Sequence, residues 1–179
     1  MWVEMKVKNL VLDPLSSMPM IILRDEEDKR SLPIWVGLPE ANAIAMELEK
    51  MPMQRPMTHD LLKNVLETVK ARVTRVAVTD LRENTFYALI HLQLGTQELT
   101  VDSRPSDAIA LALRVEAPIF VAEEVLVKAE SVEVKVGRDP EGGGPKSDDP
   151  AQIKKWLESL KPGDFEMPER GGDPKAADE

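Results

Sequence analysis

Residues 34–48 (IWVGLPEANAIAMEL) and 99–113 (LTVDSRPSDAIALAL) place the same Ala-Ile-Ala core at a constant spacing of 65 residues. The strand-like runs before them correspond at a spacing of 66, with Val7, Leu10 and Leu12 matching Val73, Val76 and Val78. A pattern of three strands and a helix used twice is not that of a doubly wound parallel sheet, in which strands and helices alternate. It reads as an internal duplication in the α+β class. Two pseudo-repeated three-strand-plus-helix units would form one compact domain with a mixed or antiparallel sheet, followed by a C-terminal appendage.

Period-2 runs place strands at Val3–Leu12, Met18–Arg24 and Ser31–Val36, and again at Val73–Thr79, Thr85–Leu92 and Glu98–Asp102. Period-3.6 runs place helices at Pro39–Met51, Thr58–Ala71 and Pro105–Val115, and Ile119–Val121 is a short closing strand. Ala41, Ile44, Ala45 and Leu48 form the expected buried face of the first helix. Arg82–Asn84 reads as a tight turn whose backbone Asp80 bonds. Of the neighbours Phe86 and Tyr87, alternation buries one and exposes the other.

The pattern breaks near residue 135. The expected organisation is a domain over 1–135, a Gly/Pro-rich linker over 136–149, a short amphipathic helix over 150–163 and a disordered acidic tail over 164–179. Ile153, Trp156, Leu157 and Leu160 form the apolar stripe of that helix. With no cysteine, disulfides, thiolate zinc sites and a thiol nucleophile are excluded. No signal-type or membrane-spanning apolar run occurs, so a cytoplasmic protein without membrane association is expected. The net charge is −9, with a basic excess on neither side of residue 135, which argues against tight duplex binding. A local groove of Arg55, Arg72, Arg75 and Arg104 would suit a short or single-stranded substrate. The Met-rich stretch Met46–Met57 reads as adaptable apolar surface and suggests a homo-oligomer.

The densest polar cluster is Asp102-Ser-Arg-Pro-Ser-Asp107, which runs directly into an apolar helix. As structure, Ser103 or Ser106 would cap that helix while Asp107 complements its dipole. As chemistry, Asp102 and Asp107 would hold a Mg²⁺ or Mn²⁺, and Arg104 would clamp a phosphate, assisted by Ser103, Ser106 and Arg55. Capping leaves Arg104 unexplained, since a cation at a helix N-terminus is unfavourable. Glu40 takes the corresponding place in the first half, as dipole partner or ligand. Thr58 reads as the N-cap of the second helix with Asp60 in its first turn. His59 is either an exposed flank or a cleft-facing acid/base.

Four segments together resemble the bifunctional nuclease domain family: Val36-Gly-Leu-Pro-Glu-Ala-Asn-Ala-Ile44, Arg55-Pro-Met-Thr-His-Asp-Leu-Leu62, Val78–Ala88 and Asp102–Arg114, with Ala117–Val121 continuing the match. The resemblance implies an α+β fold and a nuclease acting on DNA or RNA. Where family members often carry Gly before Thr-Phe-Tyr-Ala, this chain has Asn84, which tolerates the same left-handed backbone. The residue roles expected on this reading are Asp102, Arg104, Asp107, His59 and Glu40 as catalytic groups. The rival is a non-catalytic oligomeric module that binds a small anionic ligand or a protein partner.

Overall fold

A computed structural model describes residues 1–13 and 16–131. The expected linker, amphipathic helix and acidic tail lie outside the described residues. The chain forms β1 (Trp2–Leu12), β2 (Pro19–Asp25), β3 (Ser31–Trp35), α1 (Leu38–Leu48), α2 (Thr58–Thr68), β4 (Ala71–Arg82), β5 (Thr85–Leu94), β6 (Gln97–Ser103), α3 (Pro105–Val115), β7 (Ile119–Ala122) and α4 (Glu123–Ser131). This is the expected α+β arrangement with a mixed sheet, and α4 is an element that sequence periodicity missed.

The seven strands of the described residues lie in the order β3-β2-β1-β7-β4-β5-β6. Each meander, β1-β2-β3 and β4-β5-β6, is antiparallel and is followed by a helix, and β7 joins the two. β7 runs antiparallel to β1 and parallel to β4. Both strands beside β7 carry a register shift, between Val7 and Asn9 and between Val73 and Arg75. These irregularities sit 66 residues apart, the spacing at which the strand patterns correspond. A bulge of this kind bends and twists the strand, which helps one face of the sheet to curve around its helices.

Directly paired residues share a face. Leu10 with Ile21, Ile21 with Ile34, Met5 with Ile119, Val76 with Ile119 and Val76 with Ile90 therefore build one continuous apolar surface. All are buried, and Ala41, Ile44, Ala108, Ile109, Leu111, Val125 and Leu126 of the helices complete the same core. α1 and α3 pack on each other, and the Ala-Ile-Ala of each is buried. At about 25 cal/mol per Å² of apolar area, each fully buried Leu or Ile contributes about 1.5–3 kcal/mol.

The β4–β5 hairpin closes through Glu83 and Asn84, both with positive φ (47° and 61°). That is the pair of left-handed residues that a two-residue turn of type I′ requires. Asp80 accepts a hydrogen bond from the Leu81 amide, and also pairs with Arg82 and with Lys128 of α4. Phe86 packs against the core, while Tyr87 is exposed beneath the Arg82 guanidinium, 5.1 Å from the ring centroid. Leu48 corrects an expectation: α1 ends there and its side chain is 39% exposed. Among the described residues no helix is long and apolar enough to cross a membrane.

Candidate functional site

The first turns of three helices meet at one edge of the helix layer. α3 begins at Pro105 with Arg104 as N-cap, in extended backbone and with no side-chain cap. Neither Ser103 nor Ser106 caps α3: Ser103 Oγ donates to the Arg104 carbonyl, and Ser106 is buried. The serine cap expected from sequence is therefore absent, while Pro105 and Asp107 keep their expected places in the first turn of α3. Thr58 likewise is not an N-cap. Met57 occupies that place, and Asp60 accepts a hydrogen bond from its amide at 2.9 Å.

Arg104 instead joins two helices. Its Nε donates to Asp107 Oδ2 at 2.6 Å and its Nη2 to Glu40 Oε1 at 2.7 Å. On the other side of Asp107, Oδ1 lies 3.2 Å from His59 Nε2 in the first turn of α2. Four of the five residues expected to be catalytic, Glu40, His59, Arg104 and Asp107, thus form one chain of contacts. Two carboxylates offset the cation at the helix N-terminus, which resolves its otherwise unfavourable placement. The layering is graded: the Arg104 side chain is 65% exposed, Asp107 31%, Glu40 14% and His59 10%. The guanidinium therefore meets solvent, Asp107 stands at its margin, and His59 supports Asp107 from beneath.

Burial alone would raise the Asp107 carboxyl, but hydrogen bonds from Arg104 and His59 outweigh it and hold the group below the usual range. Arg104 is held charged by hydrogen bonds to Asp107 and then Glu40. Asp107 is consequently an ionised carboxylate at neutral pH, suited to electrostatics or cation binding and not to donating a proton.

Gly37, the N-cap of α1, has an ordinary extended backbone with φ −70°. Its role is space, because a Cβ there would overlap the Glu40 carboxylate, which folds back over it. Gly37→Ala is expected to push Glu40 off Arg104 and to destabilise by about 0.2–1 kcal/mol, the worth of an ion pair to an exposed guanidinium. In a Glu40→Ala background the same change should be neutral or slightly stabilising, because alanine restricts the unfolded chain. A double-mutant cycle on urea midpoints measures the difference.

The other expected site residues fall elsewhere. Asp102 is exposed on β6, alternates with Val101 and Ser103 onto the opposite face, and forms no hydrogen bond or ion pair with Asp107. Among the described residues no group of three or more His, Asp or Glu could hold a metal ion. The arginines do not share one groove. Arg55 lines a cleft of about 350 Å³ with Met46, Met51 and Met57, and Arg72 lines another of about 490 Å³ with Leu66 and Val73. Both clefts meet at Arg114, ten residues along α3 from Arg104, or about 15 Å at 1.5 Å per residue. Arg75 is exposed on the sheet beside His91, whose pKa burial lowers.

Sequence reasoning gave no role to Arg114. Its side chain is 4% exposed and binds Asp60 at 2.5 Å, the Ala110 carbonyl at 2.9 Å and the Ala43 carbonyl at 3.0 Å. The signal was present: a cation one helical turn beyond Ala110, on the stripe that faces the core. Burial raises the Asp60 carboxyl, yet the Met57 amide and Arg114 outweigh it, and the group titrates below its usual range.

Asp60 and Asp107 therefore resist protons more strongly in the folded than in the unfolded state. The stability they contribute is present above about pH 4 and is lost as pH falls through their folded values. Urea midpoints should drop between about pH 5 and pH 3, and Asp60→Asn should flatten that drop while lowering the plateau.

The sequence matches the model of the bifunctional nuclease domain over residues 21–134. A relative from Mycobacterium tuberculosis strain H37Rv, described only as an uncharacterized protein, is 34% identical over 162 residues, covering 90% of this chain and 97% of the relative. Bifunctional nuclease 1 of Oryza sativa subsp. indica is 28% identical over 109 residues, or 59% of this chain and 33% of the rice protein. Bifunctional nuclease 2 of Oryza sativa subsp. japonica is 29% identical over 107 residues, again 33% of its length. The extent of the family match, which takes in Glu40, His59, Arg104 and Asp107, shows that this chain belongs to the bifunctional nuclease domain family.

Proposed function

We propose that the chain is a phosphodiesterase acting on short or single-stranded DNA or RNA, with its reactive centre at Arg104 and Asp107. The observation that carries this reading is the exposed Arg104 guanidinium, held between Asp107 and Glu40 at the meeting point of three helix N-termini. Arg104 would bind a non-bridging phosphate oxygen, and the N-terminal field of α3 would add to the attraction. Asp107, ionised and braced by His59, would orient the attacking water. His59 is a positioning residue in this scheme, since its burial keeps it from the substrate.

The charge balance decides what else is required. One guanidinium against two carboxylates leaves the cluster net negative, which opposes a phosphodiester. Asp107 and Glu40 are the two carboxylates that would hold a Mg²⁺ or Mn²⁺, and such a cation would offset the negative charge and supply an activated water. On this reading Asp107 with Glu40 would take the part that the sequence suggested for Asp102 with Asp107.

The second reading keeps the same geometry without turnover: the cluster as an ionic clasp joining α1, α2 and α3, in a module that binds small anions. It is favoured by the pairing already present in each of the four side chains. Incubating the chain with labelled single-stranded DNA and RNA in Mg²⁺, Mn²⁺ or EDTA separates the two. Metal-dependent cleavage that Asp107→Asn lowers about 10²-fold or more supports the enzyme. A trace rate equal in wild type and variant leaves only the clasp.

A further inference from the structure

The cleft beside Arg55 has no part in the proposed reaction, yet its methionine walls are held in place by backbone geometry. α1 ends in a Schellman motif: Lys50 has a positive φ of 49°, its amide donates to the Glu47 carbonyl at 3.1 Å, and the Met51 amide donates to the Met46 carbonyl at 2.9 Å. The motif favours contact between the side chains at those two places, here Met46 and Met51. Met57 is fixed on the far side as the N-cap of α2, its amide bonded to Asp60. Met53, which is 50% exposed, and Arg55 lie on the connection between the two helices. Four of the nine methionines thus line one hollow of about 350 Å³ without filling it, within the range of about 300–1,000 Å³ usual for small-ligand sites.

Charge narrows what the hollow takes. Most of its ionised lining groups are compensated: Glu47 pairs with Lys50 at 2.6 Å, Asp60 with Arg114, and Lys63 with Glu67 at 3.9 Å. Arg55 is exposed and makes no ion pair or hydrogen bond among the described residues, and the side-chain amide of Asn64 beside it is also unbonded. The thioethers alone would suit a soft metal ion, but an uncompensated guanidinium opposes a cation. An aliphatic acid would leave the Asn64 amide unused. We propose that the cleft is a nucleotide subsite, with the base between the methionine side chains, its edge on Asn64 and its phosphate on Arg55. Thioethers make favourable contacts with aromatic rings, and in a chain with 4% aromatic residues they replace the rings on which single strands stack. An asparagine amide matches the donor and acceptor edge of adenine. The inference rests on the reading of this chain as acting on nucleic acid, and the cleft is suitably placed. The first turn of α2 presents His59 to Asp107 and Asp60 to Arg114, so the Arg104 cluster and the cleft flank the same turn. A strand cut at Arg104 would leave a neighbouring nucleotide here.

Titrating AMP into the full chain labelled with [methyl-¹³C]methionine, in EDTA, tests the cleft without turnover. The methyl signals of Met46, Met51, Met53 and Met57 are expected to shift under the ring current of adenine, while those of the buried Met5 and Met20 stay in place. Arg55→Gln should weaken AMP about ten-fold, the worth of one charged hydrogen bond, and leave adenosine unaffected. Arg104→Gln should change neither. Four unmoved signals at about 10 mM AMP would overturn the proposal. So would equal shifts with ribose 5-phosphate, equal AMP affinity in Arg55→Gln, or loss of the shifts in Arg104→Gln. The subsite and the reaction fail separately. AMP shifts in a chain that cleaves no single strand would remove the reaction and keep the subsite, and cleavage without AMP shifts would do the reverse.

Discussion

Replacing Arg114 by methionine is expected to lower the stability of the domain by about 3–4 kcal/mol, the range for breaking a buried ion pair from one side. The side chain lies inside the helix layer and makes three contacts on three helices: Asp60 of α2, the Ala43 carbonyl of α1 and the Ala110 carbonyl of its own helix. Methionine fills a similar volume, so little of the loss comes from packing. What remains is a partly buried Asp60 carboxylate with its cation gone and an Ala43 carbonyl without its donor. At about 3 °C per kcal/mol for a domain of this size, the melting temperature should fall by about 10 °C. Thermal unfolding followed by circular dichroism measures it. A fall of less than about 3 °C would mean that the contacts to α1 and α2 contribute little. Asp60→Asn combined with Arg114→Met should cost less than the sum of the two single changes, since the double variant has no unpaired charge.

The second large effect concerns rate. Arg104→Gln is expected to lower phosphodiester cleavage by about 10²–10³-fold, the usual loss when a positioned donor to developing charge is removed. Stability should change by less than about 1 kcal/mol, because the side chain is 65% exposed and its ion pairs are screened. Arg104→Lys should restore little. An ammonium cannot donate simultaneously to Asp107, to Glu40 and to a phosphate oxygen in the planar fork that a guanidinium provides. The contrast with Arg114 is informative, since both residues lie on α3 and carry the same group. One is expected to affect folding and scarcely the chemistry, the other the reverse. A fall in melting temperature for Arg104→Gln comparable to that for Arg114→Met would instead identify the cluster as structural.

Much of this architecture was legible in the sequence because local pattern and tertiary need agree. α3 begins and ends where Pro105 and the break at Glu116-Ala-Pro place it, and the Ala-Ile-Ala pairs lie in the core. Agreement failed where long-range contacts decide. Among the described helices α2 has the strongest apolar periodicity, yet Leu61, Leu62, Val65 and Val69 face outward, so periodicity locates the helix without telling which side is buried. α4 was missed because its nine residues interrupt Val125, Leu126 and Ala129 with the exposed Val127. At the candidate site, residue types and helix starts pointed to Glu40, His59, Arg104 and Asp107. Which partners they take was not legible, because Glu40 and Arg104 are 64 positions apart, and His59 and Asp107 are 48 apart. Asp102 stands apart from the cluster because proximity in sequence to Asp107 does not outweigh strand alternation, which turns it away.

Among the described strands, the central one of the sheet is the last synthesised. β7 supplies only Ile119–Ala122, yet among the described strands it is the one that joins β1 to β4. Until those four residues leave the ribosome, both meanders can form but each keeps an open inner border. The domain therefore closes late and in one step, and a nascent chain arrested before residue 119 would present two sticky half-sheets in place of one finished fold.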